Sequence, residues 1–326
     1  MWNLFLNSQG NILPLFTRME TDSGLLRCLG IYQMTAWVWG ILNKNLSCGM
    51  DIRDYIRLAI SEDVGDGDHT SLSTIPRDAE RRARLLVKED GIVAGVEVAK
   101  IIFEEVDPLL QVELLMQDGQ AIQKGDIVLT VSGDAQAILK AERLVLNTMQ
   151  RMSGIATYTR SLVNMLDGLP TKLLDTRKTT PNFRIFEKMA VKIGGAVNHR
   201  YALYDMILIK DNHVDYAGGI EAAITQANDY LARTGRKLQI EIEVRSLTEL
   251  EEALRVGRIQ RIMLDNFSLA NLRTAVERVG GKYPTEASGG IREDTIRAVA
   301  ETGVDYISCG ALTHQIKSLD LSLKAY

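Results

Sequence analysis

Three cationic residues follow directly on short apolar runs that resemble β-strands. Arg177 and Lys178 come after Leu173–Leu174, and Lys210 comes after Met206–Ile209. Because α/β proteins place their binding groups at the carboxyl ends of parallel strands, these cations are expected at one edge of a sheet. The pattern predicts a binding site for a polyanionic ligand such as phosphate, pyrophosphate or a polycarboxylate.

The local charge supports such a site. Residues 172–210 contain eight Lys or Arg and three Asp or Glu, a formal +5, whereas the whole chain of 326 residues carries −4. A reversal of sign on that scale attracts anions. A solvated basic helix face is the alternative interpretation, but such a face does not usually follow buried strand-like runs.

Carboxylates fall at the ends of two later runs. Glu241 and Glu243 alternate along a β-rich segment, so both side chains point to one face of a strand, and Asp265 closes Arg261–Leu264. Unpaired buried carboxylates are costly, so the cationic cluster or a bound Mg²⁺ is expected to neutralise them. A structural salt-bridge layer is the alternative for one of the two glutamates.

Glycine-containing loops follow the last two strand-like runs. One is Ser288-Gly289-Gly290 and the other is Cys309-Gly310-Ala311. Barrels of βα units often bind phosphate in the loops after their final two strands. Glycine lets backbone N–H groups approach the phosphate, and a following helix adds its positive end. The two loops together predict a phosphate site.

The four histidines lie in loop-like motifs. Their spacing matches no zinc signature, so we expect donation to phosphate or carboxylate oxygens rather than metal binding. A structural role is the alternative for the first and the third. The residues are His69, His199, His213 and His314.

The elements that position these groups change at Lys172. Before it, β-rich runs broken by turns and separated by a helix predict an α/β sandwich with an antiparallel sheet. After it, repeated βα units predict a parallel sheet that is closed or nearly closed as a barrel. The predicted strands are Lys172–Leu174, Met206–Ile209, Leu238–Val244, Arg261–Leu264, Thr285–Ala287 and Val304–Ser308. The predicted helices are Arg184–Ile193, Ile220–Thr234, Leu247–Val256, Leu269–Val279 and Arg292–Thr302.

Composition bounds the class of protein. The chain is long enough for two domains, with 46% hydrophobic and 25% charged residues. Its pI of about 5.7 argues against general nucleic-acid binding. Three cysteines provide neither a disulfide framework nor a paired metal spacing, which fits a reducing cytoplasm.

The first 49 residues differ from the rest. They hold all three tryptophans and two of the three cysteines. Their apolar run, Cys28–Leu42, is too short to span a bilayer, and no secretory cleavage pattern follows a basic start. Residues 1–49 are therefore expected to be an extension outside the fold. A peripheral membrane helix or a partner-binding helix is the alternative.

Seven motifs, taken in order over residues 50–326, resemble the quinolinate phosphoribosyltransferase family. They are Asp-Thr-Arg-Lys-Thr-Thr-Pro at 175–181, Asn-His-Arg at 198–200, Ile-Lys-Asp-Asn-His at 209–213, Glu-Ile-Glu-Val at 241–244, Met-Leu-Asp-Asn at 263–266, Glu-Ala-Ser-Gly-Gly-Ile at 286–291 and Gly-Val-Asp-Tyr-Ile-Ser-Cys-Gly-Ala-Leu-Thr-His at 303–314. The resemblance implies an α/β fold. It comprises an N-terminal α/β sandwich at 50–150, an incomplete, about seven-stranded α/β barrel at 151–312, and a segment at 313–326 that returns to the first domain.

The resemblance also implies an activity. Quinolinate and phosphoribosyl pyrophosphate would give nicotinate mononucleotide, pyrophosphate and carbon dioxide with Mg²⁺, in the de novo route to NAD. It implies a homodimer or an assembly of dimers, in which Arg143 is donated across the interface. No nucleic-acid or membrane partner is expected.

Site residues carry over from the resemblance by position. The pocket for carboxylates and phosphates is Arg143, Arg177, Lys178, His199, Arg200 and Lys210. Glu243 and Asp265 match the acids near the ribose and metal. The loops for the 5′-phosphate contain Ser288, Gly289, Gly290, Gly310 and Ala311. Of these, we expect a direct part in the chemistry for Lys178, Lys210, Glu243 and Asp265.

Four residues at three sites depart from the family pattern, and three rival functions stay open. Asn182-Phe183, Ala196 and Gln315 stand where Gly-Leu, glycine and serine are usual. One rival is the phosphoribosyltransferase-like relative of molybdenum-uptake operons, which tends to lose the Lys-Asp-Asn-His run. Another is a Schiff-base barrel aldolase that uses Lys210 as its amine. The third is an inactive binding homologue.

Overall fold

The first half of the described chain is a small mixed sandwich. This computed structural model describes residues 51–326, so the predicted extension at 1–49 lies outside the described part. The elements are α1 (Ile52–Val64), α2 (His69–Thr74), β1 (Glu80–Val87), β2 (Gly91–Ile92), α3 (Val96–Val106), β3 (Gln111–Leu114), β4 (Ala121–Ile122), β5 (Ile127–Asp134) and α4 (Ala135–Met165).

A four-stranded antiparallel sheet organises this half. Its order is β12-β1-β5-β3, where β12 (Leu321–Ala325) is the last strand of the chain. Ala83, Leu85 and Val87 of β1 are buried, whereas Arg84, between the first two, is exposed. This period of two gives the sheet one apolar face, over which α4 packs across β1, β5 and β12. The last strand therefore ties the end of the chain to the sandwich.

The second half is an incomplete barrel of parallel strands. The strands are β6 (Lys172–Leu174), β7 (Ile207–Ile209), β8 (Ile240–Val244), β9 (Arg261–Asp265), β10 (Thr285–Ser288) and β11 (Tyr306–Ser308), in the order β6-β11-β10-β9-β8-β7. Val197 adds a seventh parallel segment by bridging to Leu174. Within residues 51–326 no pairing joins Val197 to β7, so the barrel is open there. The predicted α/β class, a sandwich followed by an incomplete barrel, is confirmed.

Helices connect the barrel strands. They are α5 (Arg184–Ile193), α6 (Asp211–Ala217), α7 (Ile220–Thr234), α8 (Leu247–Val256), α9 (Leu269–Val279), α10 (Ile296–Ala300) and α11 (Ala311–His314). Four have the predicted bounds, and α10 is shorter than predicted. The sequence did not predict α6 or α11, because so few residues carry no readable hydrophobic period. Among the described helices none is long and apolar enough to cross a membrane.

Helix α4 runs through the domain boundary that was predicted between residues 150 and 151. It has 31 residues and contacts the sandwich sheet, α5 and β6. One continuous helix thus belongs to both halves of the fold, and the predicted boundary falls inside it.

Gly154 of α4 is a point of close backbone contact. A Cβ atom added there would lie 2.3 Å from the carbonyl oxygen of Lys317. We expect Gly154→Ala to lower the free energy of unfolding by about 1–3 kcal/mol, because the obstacle is backbone. Urea unfolding measures this, and Ser161→Ala on the exposed face of the same helix is the control. A loss below about 0.5 kcal/mol would mean that the C-terminal segment can move aside.

Candidate active site

Strand register brings the predicted site residues to one edge of the barrel. The Cα partners are Leu174 and Ser308, Ala287 and Ile307, Ser288 and Asp265, Glu243 and Met263, and Ile209 and Ile242. The loops that carry the predicted cations and glycines leave from this carboxyl edge. Barrel enzymes place their chemistry at the same edge.

Two arginines at this edge, Arg177 and Arg200, lie close enough for their charges to act on each other, and one of them has a nitrogen without an acceptor. Nε of Arg177 is buried, and no described residue accepts a hydrogen bond from it. Burial lowers the pKa of Arg200, and the charge of Arg177 lowers it further. Nη1 of Arg200 donates to the carbonyl oxygen of Met206 at 3.1 Å. Two cations whose charges act on each other, one of them with a donor that no described residue accepts, are suited to bind an anion.

A carboxylate group faces Lys210 on the other side of the edge. Nζ of Lys210 lies 3.8 Å from Oε2 of Glu243. Burial raises the pKa of Glu243, Lys210 lowers it, and the charges of Asp265 and Asp211 raise it. Lys210 is half exposed, and this carboxylate lies within ion-pair distance of its ammonium.

The glycine loop after β10 has conformations and contacts that demand glycine. Gly289 has a φ of +98°, and a Cβ atom there would lie 2.2 Å from Oδ1 of Asn266. Gly290 has a φ of +61° and open space around it. The amide of Asn266 donates to the carbonyl oxygen of Ser288 at 2.8 Å, which joins this loop to the end of β9.

The second glycine loop lies under Lys178. A Cβ atom on Gly310 would be 2.8 Å from Cδ of Lys178 and 3.0 Å from Nε2 of His314. Ala311 begins α11 directly after it. The lack of a side chain at 310 therefore lets the lysine cross the loop, which brings two predicted subsites together.

His199 is buried inside the barrel, and its ring nitrogens face protein groups. Nε2 lies 3.0 Å from Glu241 and 3.4 Å from Glu286, and the amide of Arg200 donates to Nδ1 at 2.6 Å. Nη1 of Arg261 donates to Glu286 at 3.1 Å. Glu241 is thus the glutamate that belongs to a structural charge layer, one level below Glu243. A contact between His199 and a ligand stays a prediction.

This layer has the donor types of a metal site, with ligand atoms within 4.8 Å of one another. Arg261 pairs with Glu286, and Nε2 of His199 lies near both glutamates. Burial lowers the pKa of His199, but the hydrogen bonds to Glu241 and Glu286 outweigh it and raise the pKa to about 9.

The two glutamates of the layer are expected to differ on substitution. Burial raises the pKa of Glu286, but hydrogen bonding to His199 and the charge of Arg261 outweigh it, so the net shift is downward. Glu286→Gln removes a charge that Arg261 needs and should destabilise the fold by about 2–4 kcal/mol. Burial raises the pKa of Glu241, so a neutral glutamine at that position should cost less than about 1 kcal/mol. Urea unfolding of both variants tests this, and equal losses would contradict the difference between the two carboxyl groups.

The sequence did not reveal the buried ion pair that supports His199. Nζ of Lys188 lies 2.6 Å from Oδ1 of Asp175 and 3.1 Å from the carbonyl oxygen of His199. Asp175 also accepts the amide of His199 at 2.7 Å and Nδ2 of Asn198 at 3.0 Å. Lys188 is only one of the eight cations counted over residues 172–210, and its partner lies thirteen residues earlier.

Arg143 and the other three histidines lie elsewhere. Arg143 is exposed on α4, in a groove of about 400 Å³ that His69 also lines, and not at the barrel edge of its own chain. His69, His213 and His314 lie in the short helices α2, α6 and α11, so their prediction as loop residues was wrong. Nδ1 of His213 accepts the amide of Lys210 at 3.0 Å.

One departure from the family pattern has a visible consequence. Asn182, where glycine is usual, has a φ of 61°, in the left-handed region that asparagine adopts more readily than most residues. The loop thus keeps the conformation that glycine would favour. The change removes no charged group from the barrel edge.

Known proteins share both halves of this architecture. The model of the quinolinate phosphoribosyl transferase C-terminal domain matches residues 155–324, and that of the N-terminal domain matches residues 68–153. Two plant proteins align over 289 residues, which is 84% of this chain and 82% of each relative. The chloroplastic nicotinate-nucleotide pyrophosphorylase [carboxylating] of Arabidopsis thaliana is 46% identical. The mitochondrial quinolinate phosphoribosyltransferase [decarboxylating] 2 of Nicotiana glauca is 45% identical.

A solved structure agrees with these relatives. NadC from Streptococcus pyogenes superposes with a TM-score of 0.79 at 38% identity, covering 84% of this chain and 95% of that one. The matches include the barrel edge and the sandwich alike. The chain belongs to the quinolinate phosphoribosyltransferase family.

Proposed function

We propose that this protein transfers the phosphoribosyl group of phosphoribosyl pyrophosphate to quinolinate. Loss of carbon dioxide then yields nicotinate mononucleotide, and pyrophosphate is released. The observation that carries the proposal is the pairing of Arg177 with Arg200 at the barrel edge, where the buried Nε of Arg177 lacks an acceptor. Two carboxylates on one ring are a ligand that such a pair can hold.

The quinolinate pocket is assigned to the cations of the edge. Arg177 and Arg200 would hold the carboxylates, with Lys178 above Gly310 and His199 beneath. Lys210 would face both the ring and the ribose, because its ammonium lies near Glu243. A dianion beside a pyrophosphate donor needs this many positive charges in one cavity.

The phosphoribosyl subsite is assigned to the acids and glycine loops. Ser288, Gly289 and Gly290 after β10, and Gly310 and Ala311 after β11, would bind the 5′-phosphate through backbone N–H groups. Glu243 and Asp265 would face the ribose. Burial and the charges of Asp265 and Asp211 raise the pKa of Glu243, and a bound hard cation would favour its ionised form. Mg²⁺ bound by Glu243 and Asp265 would neutralise pyrophosphate as it leaves.

The reaction then depends mainly on the positions of the two substrates and on the charged side chains around them. As the bond from C1 of the ribose to pyrophosphate breaks, positive charge develops on the ribose, and Glu243 or Asp265 would stabilise it. The pyridine nitrogen forms the new bond to C1. The cationic ring next accepts the electron pair left by departing carbon dioxide, and C2 takes up a proton. Holding the two substrates in line supplies much of the rate.

Arg143 suggests an assembly. It is exposed on α4, away from its own barrel edge, so it would complete the pocket of a second copy in a homodimer or an assembly of dimers. We place the protein in the cytoplasm. The names of plant relatives put those proteins in chloroplasts and mitochondria, and cell fractionation would decide between the compartments.

A turnover assay tests the function. Purified protein is given phosphoribosyl pyrophosphate and Mg²⁺ with quinolinate or nicotinate in parallel, and carbon dioxide and mononucleotide are measured. Product from quinolinate alone is the expected result. Product from nicotinate alone would show that the enzyme catalyses a transfer without decarboxylation. No product from either substrate would refute the proposal.

A further inference from the structure

The guanidinium of Arg151 joins three segments that are far apart in sequence. Nε and Nη2 donate to Oε1 of Glu187 at 3.2 and 2.9 Å. Nη1 donates to the carbonyl oxygen of Ile316 at 3.3 Å, and Nη2 also donates to that of Thr313. One side chain of α4 therefore contacts α5 and the chain that leaves the last barrel strand.

Glu187 connects Arg151 to the loop that carries Arg177 and Lys178. The carboxylate is fully buried and accepts four hydrogen bonds, two from Arg151 and two from Thr180. The amide and the hydroxyl of Thr180 donate at 3.1 and 2.8 Å. A buried carboxylate must be satisfied, so the position of the loop depends on the other donor, Arg151.

Thr313 connects Arg151 to the backbone of Lys178. Its hydroxyl donates to the carbonyl oxygen of Lys178 at 2.8 Å, and its own carbonyl oxygen accepts from Arg151. Gly310, three residues earlier, lies against the Lys178 side chain. The loop assigned to quinolinate and the loop assigned to phosphate are thus joined by hydrogen bonds that run through Thr313 and Arg151.

We propose that Arg151 is a positioning residue that fixes these two loops relative to each other. The inference rests on the proposed function, because it matters for a reaction between two bound substrates. Misplacement by about 1 Å can cost about a hundredfold in rate. An arginine is required because its planar fork meets several acceptors at once, whereas a lysine ammonium is a point charge.

The test separates positioning from binding. In Arg151→Lys and Thr313→Val we expect kcat to fall by about 10–100-fold. The Kd of quinolinate alone, from isothermal titration, should change by less than about threefold, since Arg177 and Arg200 remain. Thr313→Ser keeps the hydroxyl and should restore kcat to within about threefold of wild type. A merely structural role would not produce this split.

Arg160→Lys is the matched control. Arg160 lies on the same helix and donates to the carbonyl oxygens of Gly194 and Ile193 at 2.9 and 3.3 Å, without touching the loop. Its kcat should stay near wild type. The inference would be overturned if Arg151→Lys and Thr313→Val fold and keep the wild-type kcat. It would also be overturned if both variants unfold, or if the affinity for quinolinate falls by the same factor as kcat. An inactive wild-type enzyme would instead overturn the proposed function, and the inference with it.

Discussion

Arg177→Met should raise the KM for quinolinate by about 10²–10³-fold and leave the KM for phosphoribosyl pyrophosphate within about threefold. Nε of Arg177 is buried without an acceptor, so the guanidinium is free to form charged hydrogen bonds to a ligand carboxylate. Each such bond is worth about 1.5–3 kcal/mol, and two at the lower end of that range, about 3–4 kcal/mol together, account for the expected factor. Initial rates with each substrate varied in turn measure both constants.

Arg236→Met controls for the loss of a guanidinium. Arg236 is exposed in the connection before β8, at the opposite end of the barrel. Its variant should keep both constants within about twofold, as expected for a surface site. If Arg177→Met keeps its quinolinate KM but loses turnover, the arginine acts in the chemical step and not in binding, and the assigned role is refuted.

Lys188→Met should lower the free energy of unfolding by about 3–5 kcal/mol, the largest stability effect expected here. Lys188 is 3% exposed and Asp175 is fully buried, and 2.6 Å separates the ammonium from the carboxylate. Removing the cation leaves Asp175 charged and buried with only Asn198 and the amide of His199 as donors. Urea denaturation with a constant m-value would give the loss.

Two further variants make the result specific. Lys192→Met lies on the same helix, is exposed, and should change stability by less than about 0.5 kcal/mol. Asp175→Asn combined with Lys188→Met removes both charges and should regain at least half of the loss. A Lys188→Met variant as stable as wild type would show that the pair contributes nothing, against the buried-charge argument.

Much of the fold could be predicted because its signals are local. The strand Lys172–Leu174 and the helices α5, α7, α8 and α9 have the predicted bounds, since each shows its own hydrophobic period. The bridge at Val197 could not be predicted, because a single paired residue has no period. The short helices that hold three of the histidines were missed for the same reason.

The candidate site likewise contains features that local sequence could predict and features that it could not. Local sequence revealed Arg177, Lys178 and Lys210, because each follows a strand-like run and the segment reverses the charge of the chain. It also left open, as an alternative, that one of the two glutamates of β8 serves structure. It could not indicate which one, because Glu286, the second glutamate beside His199, comes from another strand and lies 45 residues after Glu241 in the sequence.

What the sequence by itself determined is the class of fold, the chemical character of the barrel edge and the family. These depend on residue types and on spacings of a few residues. Tertiary structure alone decided which charged groups compensate one another: Asp175 with Lys188, and Arg151 with Glu187. A buried charge takes its partner from whichever element packs against it, and for Arg151 that element begins 33 residues later, 184 less 151. Packing, rather than sequence proximity, therefore separates the cations that hold the fold together from those left available to bind a ligand.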